Sequence, residues 1–356
     1  DTIGIPEGLF MRPTVMVIFD SIADTMTIVT PVRPNDGTSA DDAYADATAR
    51  LQTIIETLDR PLPHRPVSGA SDADDVIEPV SNVGRSGYHA MVDKAKEYVL
   101  AGDIFQVVPS QRLRRPFVHP PFSLYRSLRR LNPSPFLFFL NFDGFSIVGS
   151  SPEILVRVRD GKVTIRPIAG TRPRGATKDE DEQHARDLLA DPKELAEHLM
   201  LLDLGRNDVG RVTRTGTVDV TEEMVIEYYS HVMHIVSNVD GELSPDYDAM
   251  DALMAGFPAG TVSGAPKVRA MEIIDELESE RRSFYGGAIG YIAANGDLDT
   301  CIALRTALVK DGELIVQAGG GIVADSDPEA EFQESQNKAM AIIRAADQAG
   351  RYGGNG

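Results

Sequence analysis

Two glutamate pairs carry a spacing that chemistry uses, Glu194-x-x-Glu197 and Glu331-x-x-Glu334. Each falls in a stretch of helical periodicity, where a separation of three puts both carboxylates on one face. Two such helices meeting across a cavity can hold Mg2+, a hard cation that takes oxygen ligands and keeps waters for substrate oxygens to replace. On spacing alone, such a pair is usually a solvated helix face. The second helix has a clean start, with Ser326 or Asp327 as cap and Pro328 in the first turn. Lys338 lies one turn beyond Glu334.

Two glycine-bearing segments stand beside these pairs. In Phe257-Pro-Ala-Gly-Thr-Val-Ser-Gly-Ala-Pro-Lys267, Pro266 suits a first helical position and Ser263 and Gly264 a cap region. Such a helix start, with Lys267, either receives an anion or is an ordinary capped helix. Gln317-Ala-Gly-Gly-Gly-Ile322 lacks the G-x-G-x-x-G spacing of a dinucleotide site. Its glycines Gly319, Gly320 and Gly321 suit either a tight turn or a backbone cradle for a carboxylate. Gly170 and Thr171 end a strand in Pro167–Arg174. Asn207-Asp208 reads as a turn or cap. His234 and Tyr285 have ordinary core roles open to them. Arg305 lies in the apolar run Cys301–Leu308, where a guanidinium requires a carboxylate partner or a substrate.

The elements that must position these residues alternate strand pairs with helices. Strands are expected at 14–20 and 25–32, and a helix from Asp41 to Leu58. Residues 59–87, rich in Pro, Ser, Gly and Asp, read as a linker or mobile segment. Beyond it come helices at 88–101, 121–131, 178–190, 193–203, 246–255, 266–278 and 328–347. The strands fall at 103–113, 135–142, 145–149, 154–159, 162–167, 286–293, 300–309 and 313–318. Asp160-Gly161 and Asn295-Gly296 mark hairpin turns. The expected fold is α+β, with large, mostly antiparallel sheets flanked by helices. Residues 1–58 form the remainder of an N-terminal α/β region, 88–348 the catalytic domain and 349–356 a flexible tail.

The chain has 356 residues, 42% hydrophobic and 25% charged, which are ordinary globular values. Its formal charge of −19 argues against nucleic acid and against an anionic membrane surface. The same charge makes an anionic substrate depend on clustered Arg and Lys or on a bound cation. No apolar run is long enough to span a bilayer and no secretion leader opens the chain. Asp1 in place of Met is what a processed or truncated piece of a longer protein would show. The single Cys301 excludes an internal disulfide and fits a reducing, cytoplasmic setting.

The wording of several segments, over about Tyr88 to Ala345, closely resembles the chorismate-utilising enzymes, and among them the branch that makes anthranilate. These segments are the Phe257–Lys267 run, Glu-Leu-Ala-Glu-His-Leu-Met at 194–200 and Glu-Phe-Gln-Glu-Ser-Gln-Asn-Lys at 331–338. The resemblance implies that chorismate and ammonia are converted to anthranilate and pyruvate, the first step of tryptophan biosynthesis. It implies Mg2+ on Glu197 and Glu334, supported by Glu194 and Glu331. Chorismate would contact Gly170, Thr171, Tyr285, Arg305, the Gly319–Gly321 run and Lys338. His234 would assist pyruvate elimination, Glu153 would protonate the departing hydroxyl, and Thr261 lies in the signature loop beside them. Glu153 would have to stay protonated near neutral pH, which burial can achieve. Relatives that add water carry Lys where this chain has Gln106, and aminodeoxychorismate synthases carry Lys where it has Ala169. With Cys301 outside any nucleophile elbow, ammonia would come from a glutamine amidotransferase partner, in a heterotetramer. Tryptophan would inhibit by binding at Pro135, Phe136 and Leu137. The alternatives are an aminodeoxychorismate synthase component and a non-catalytic chorismate-binding subunit.

Overall fold

The computed structural model describes residues 3–32, 37–61, 77–229 and 232–352. They form two compact units, a small one drawn from Ile5–Pro66 and a large one drawn from Val67–Gly354. The small unit holds the antiparallel strands Met16–Asp20 and Thr25–Val29 and the helix Ala40–Leu58. Ser39 caps that helix by accepting from Asp42 N–H at 3.1 Å.

Two antiparallel sheets dominate the large unit. One runs, in spatial order, 168–173, 232–242, 162–165, 154–159, 298–302 and 288–292, and 219–228 pairs with 232–242 as well. The other runs 80–81, 110–116, 313–319, 306–310, 145–151 and 136–142. Leu155, Val156, Val158 and Leu298 of the first sheet pack with Leu202, Val209, Ala252 and Ala255 of the helices Pro192–Gly210 and Ala249–Gly256. Val148, Leu314 and Val316 of the second pack with Leu124, Leu128, Ile342 and Ile343 of the helices Pro121–Leu131 and Pro328–Asp347. At about 25 cal/mol per Å2 of apolar surface buried, these two cores supply the main drive for folding. No helix among the described residues is long and apolar enough to cross a membrane.

The α+β class stands, and local turn chemistry behaves as expected. Asp160 and Gly161 both take positive φ, 51° and 74°, the geometry of a tight two-residue hairpin. Asp327 caps the last long helix through Ala330 N–H at 2.9 Å, with Pro328 in its first turn. Several expectations need correction. The expected strand 300–309 is two strands in different sheets, because Arg305 adopts φ 47° and turns the chain between them. The expected helix 193–203 continues to Gly210, so Asn207 and Asp208 are helical and not a turn. Residues 103–113 hold only the short strand Gln106–Val107 and the start of Ser110–Pro116. The long pair Asp219–Tyr228 and Val232–Glu242 has no counterpart among the expected elements. Of the segment read as a linker, 62–76 lies outside the described residues, while Val80–Ser81 is a strand and a helix begins at Gly84. In the expected tail, Ala349–Tyr352 form a 3-10 turn with Ala349 buried, and 353–356 lie outside the described residues.

Candidate active site

The chain passes between the two sheets twice, and each passage carries a candidate residue. Glu153 lies between the strands Phe145–Ser151 and Ile154–Arg159, and Arg305 between Leu298–Ile302 and Thr306–Lys310. Backbone bonds tie the passages together, Ile302 N–H donating to Glu153 O and Ser150 N–H to Arg305 O, both at 3.1 Å. Glu153 is 6% exposed. Burial pushes its carboxyl up to about 7, against the opposing pull of the Thr261 hydrogen bond and the charges of Arg305 and Lys338. Thr261 Oγ1 donates to Glu153 Oε1 at 2.7 Å. The Arg305 guanidinium is mostly buried and makes no ion pair among the described residues, and burial lowers its proton affinity. A planar, desolvated fork without a carboxylate partner is suited to receive one from a ligand.

His234 stands opposite Thr171 in the register of Ile168–Pro173 with Val232–Glu242. Its Nδ1 lies 3.2 Å from Gly170 O and 3.0 Å from Thr171 Oγ1. A carbonyl can only accept, so Nδ1 carries the proton and Nε2 is left as the basic nitrogen. Burial, and then the Arg305 charge, hold the ring below its ordinary pKa and therefore neutral at pH 7. Gly170 has φ 76° at the irregularity between Ala169 and Thr171, a conformation open to glycine.

At Gly319 the backbone leaves no room for a side chain, and Gly320 and Gly321 lie against the ends of the Glu331 and Gln106 side chains. An added Cβ would meet Pro109 O at 2.3 Å from Gly319, Glu331 Oε2 at 2.9 Å from Gly320, and Gln106 Nε2 at 2.0 Å from Gly321. Lys338 Nζ donates to Gly319 O at 3.1 Å, and Tyr285 is buried beneath with a backbone hydrogen bond to Gly319. The Arg282 guanidinium covers the Tyr285 ring at 5.4 Å, pairs with Glu278 and donates to the carbonyls of Val262 and Val108. Nothing in the spacing of Arg282 signals this role, which exists only once these segments meet. Gly264, in the same signature loop, has φ 134°, and a Cβ there would lie 2.1 Å from Gln106 O. Gly264→Ala is expected to cost roughly 3 kcal/mol or more in denaturant unfolding, and a loss below about 1 kcal/mol would contradict this packing.

The four helical glutamates face a common region. Burial first, and the charges of Glu194 and Glu334 after it, raise the Glu197 carboxyl, while the Gln106 hydrogen bond opposes them. Glu331 is likewise raised by burial and by Glu334. Each already has a partner: Glu197 takes Gln106 Nε2 at 3.1 Å, Glu194 takes Arg172 at 2.7 Å, Glu331 takes Ser326 Oγ at 2.7 Å and Glu334 pairs with Lys338 at 2.7 Å. Among the described residues no three His, Cys, Asp or Glu side chains converge as a cage. Mutually repelling carboxylates, together with a buried Gln106 Oε1 that has no hydrogen-bond partner among the described residues, suit a hard cation that completes its shell with water and ligand oxygens.

Two further expectations meet different outcomes. Lys267 does not stand free at an anion site, because it pairs with Asp208 at 2.8 Å, and Pro266 is the cap residue of its helix rather than the first helical position. Pro135, Phe136 and Leu137 stand at the start of the edge strand Phe136–Phe142. They are tied to the site, since Leu137 and Phe136 register against Ser150 and Ser151, just ahead of Glu153.

A two-sheet fold that brings together a buried carboxyl of raised pKa, a desolvated arginine and the helical glutamates defines an enzyme-like site that can receive an anionic ligand. The pattern of the family described as chorismate binding enzyme matches residues 1–344, and the chain belongs to that family. It is 60% identical to anthranilate synthase component 1 of Cereibacter sphaeroides over 359 residues, covering 100% of this chain and 71% of the relative. Identity to the protein of that name from Pseudomonas putida is 55%, covering 97% of this chain and 69% of the relative. Among solved structures, anthranilate synthase component I of Streptococcus pneumoniae superposes with a TM-score of 0.81 at 42% identity, covering 92% and 72% of the two chains. The menaquinone-specific isochorismate synthase of Escherichia coli superposes at 0.72 with 26% identity, covering 86% and 69%.

Proposed function

We propose that the chain is the large component of an anthranilate synthase, converting chorismate and ammonia to anthranilate, pyruvate and water in the cytoplasm. The observation that carries this is Glu153, a buried acid that keeps its proton up to about pH 7 and is hydrogen-bonded by Thr261, beside the Arg305 guanidinium, which has no ion pair among the described residues. In this reading Arg305, the Gly319–Gly321 backbone, Tyr285 and Lys338 take the substrate carboxylates, and Gly170 and Thr171 hold the ring. Glu153 delivers its proton to the departing ring hydroxyl as ammonia adds. Neutral His234, oriented by Gly170 O, then removes the ring proton as pyruvate leaves. Glu197 and Glu334, supported by Glu194 and Glu331, would hold Mg2+, which neutralises carboxylate charge on the substrate when bound. Gln106 and Ala169 are neutral where water-adding and 4-amination relatives carry a lysine, and this supports amination to anthranilate.

Glutamine cleavage calls for a reactive thiolate. Cys301 is 1% exposed and burial pushes its thiol up to about 12, so we assign that step to an amidotransferase partner, assembled with this chain as a heterotetramer. Tryptophan, at the segment Pro135–Leu137, is the proposed inhibitor.

Incubation of the purified chain with chorismate, Mg2+ and an ammonium salt tests the reading by product fluorescence. Anthranilate that disappears with a chelator is the expected result; isochorismate or 4-amino-4-deoxychorismate would reassign the chemistry. His234→Met is expected to accumulate an aminated, non-aromatic intermediate, visible by chromatography. Loss of activity with no intermediate would remove His234 from the elimination step.

A further inference from the structure

A cavity of about 30 Å3 borders Glu153, lined by residues of the strands Ile154–Arg159 and Lys162–Ile165, the helix Pro192–Gly210 and the signature loop. Its lining is mainly aliphatic, with Leu155, Ile165, Leu201 and Leu204, but Glu153, Thr261, Arg166 and Asp208 also reach it. Arg166 is engaged by Glu222 and Glu227. Asp208 is 4% exposed; its Oδ2 takes the Lys267 ammonium at 2.8 Å, and its Oδ1, fully buried, has no hydrogen-bond partner among the described residues. Space of this size admits about two water molecules, which require polar partners of the kind Glu153 and Asp208 offer.

The reading of Glu153 as the acid, on which this inference rests, creates a need. A buried acid that gives up its proton must recover one in every turnover, and Glu153 has little contact with solvent. We propose that Asp208 is a positioning residue for that recovery, with water in this cavity linking its Oδ1 to the Glu153 carboxyl and returning the proton. The balance closes: the ring C–O bond breaks and its oxygen leaves as water with the Glu153 proton. The C–N bond forms, and the nitrogen releases one proton to solution as the relay brings one in. Charged groups around the path are Lys267 and Arg211 at Asp208, and Arg305 and Lys338 at Glu153. Burial raises both carboxyls, Glu153 to about 7, and the Lys267 ammonium opposes that rise at Asp208.

Two variants of the full chain test this in the ammonia assay, read as kcat, chorismate KM and solvent deuterium isotope effect. Asp208→Asn removes the exchangeable acid, while Gly205→Ala aims a methyl at Pro167 and Ile165, 3.3 and 3.4 Å away in the cavity wall, and leaves Asp208 and Lys267 paired. Both are expected to lower kcat roughly tenfold, well short of the acid's own contribution. KM should hold within about twofold, and the isotope effect should rise. If Asp208→Asn fails to fold, Gly205→Ala alone decides. Wild-type kcat and isotope effect in a folded variant would overturn the relay, as would a lower kcat with an unchanged isotope effect. A wild-type chain that makes no anthranilate would overturn the functional reading along with it.

Discussion

Glu153→Gln is expected to lower kcat by about 10^2- to 10^4-fold, the usual contribution of a positioned general acid, with chorismate KM little changed. Glutamine keeps the shape and can still accept from Thr261, so the loss isolates the proton. In the wild-type chain, activity at a fixed concentration of free ammonia should fall as pH rises through about 7, where Glu153 ionises. The variant's residual rate should lack that limb. The variant's stability should move opposite to its activity. The carboxyl is raised in the folded chain from 4.5 to about 7, so its favourable contribution is complete below pH 4.5. It is lost progressively as pH climbs to about 7, and stays lost above. By this linkage, Glu153→Gln should be more stable than wild type above pH 7 by roughly 3 kcal/mol and equal to it at acid pH. An inactive variant with no pH-dependent gain in stability would place Glu153 in solvent rather than in a dry site.

Glu197→Gln should separate stability from activity in the same way, through charge instead of a proton. Glu197 is mostly buried and raised first by that burial and then by Glu194 and Glu334, so its ionised form is a strain on the ion-free chain. Removing the charge is expected to raise the thermal midpoint without Mg2+. It should also abolish the midpoint rise that Mg2+ gives the wild-type chain, and reduce turnover by about 10^3-fold, the scale of several kcal/mol of lost charge stabilisation. Glu334→Ala should lose the Mg2+ response too, but its ion-free stability should scarcely move, because Glu334 is 53% exposed and its ion pair with Lys338 lies at the surface. A full Mg2+ response in either variant would sink the assignment of the ion to these helices.

Much of this was legible in the order of residues, for a reason each case makes plain. Asp160-Gly161 and the Asp327-Pro328 start turn the chain through their own backbone preferences, which need no distant partner. The i, i+3 glutamates share a face because a helix places them there, whatever lies opposite. Tertiary structure alone decided what those faces meet. Arg305 reads as part of an apolar strand, yet it takes a positive φ because the chain must leave one sheet for the other at that point. Asn207-Asp208 has the composition of a turn, but packing of Leu202 and Val209 carries the helix through it to Gly210. Lys267 reads as a free cation until Asp208, 59 residues earlier, folds against it. Glu153 becomes an acid because folding removes its water and brings Thr261 from 108 residues away. Residue types set which chemistry is available, while burial and long-range pairing set the charge each group carries.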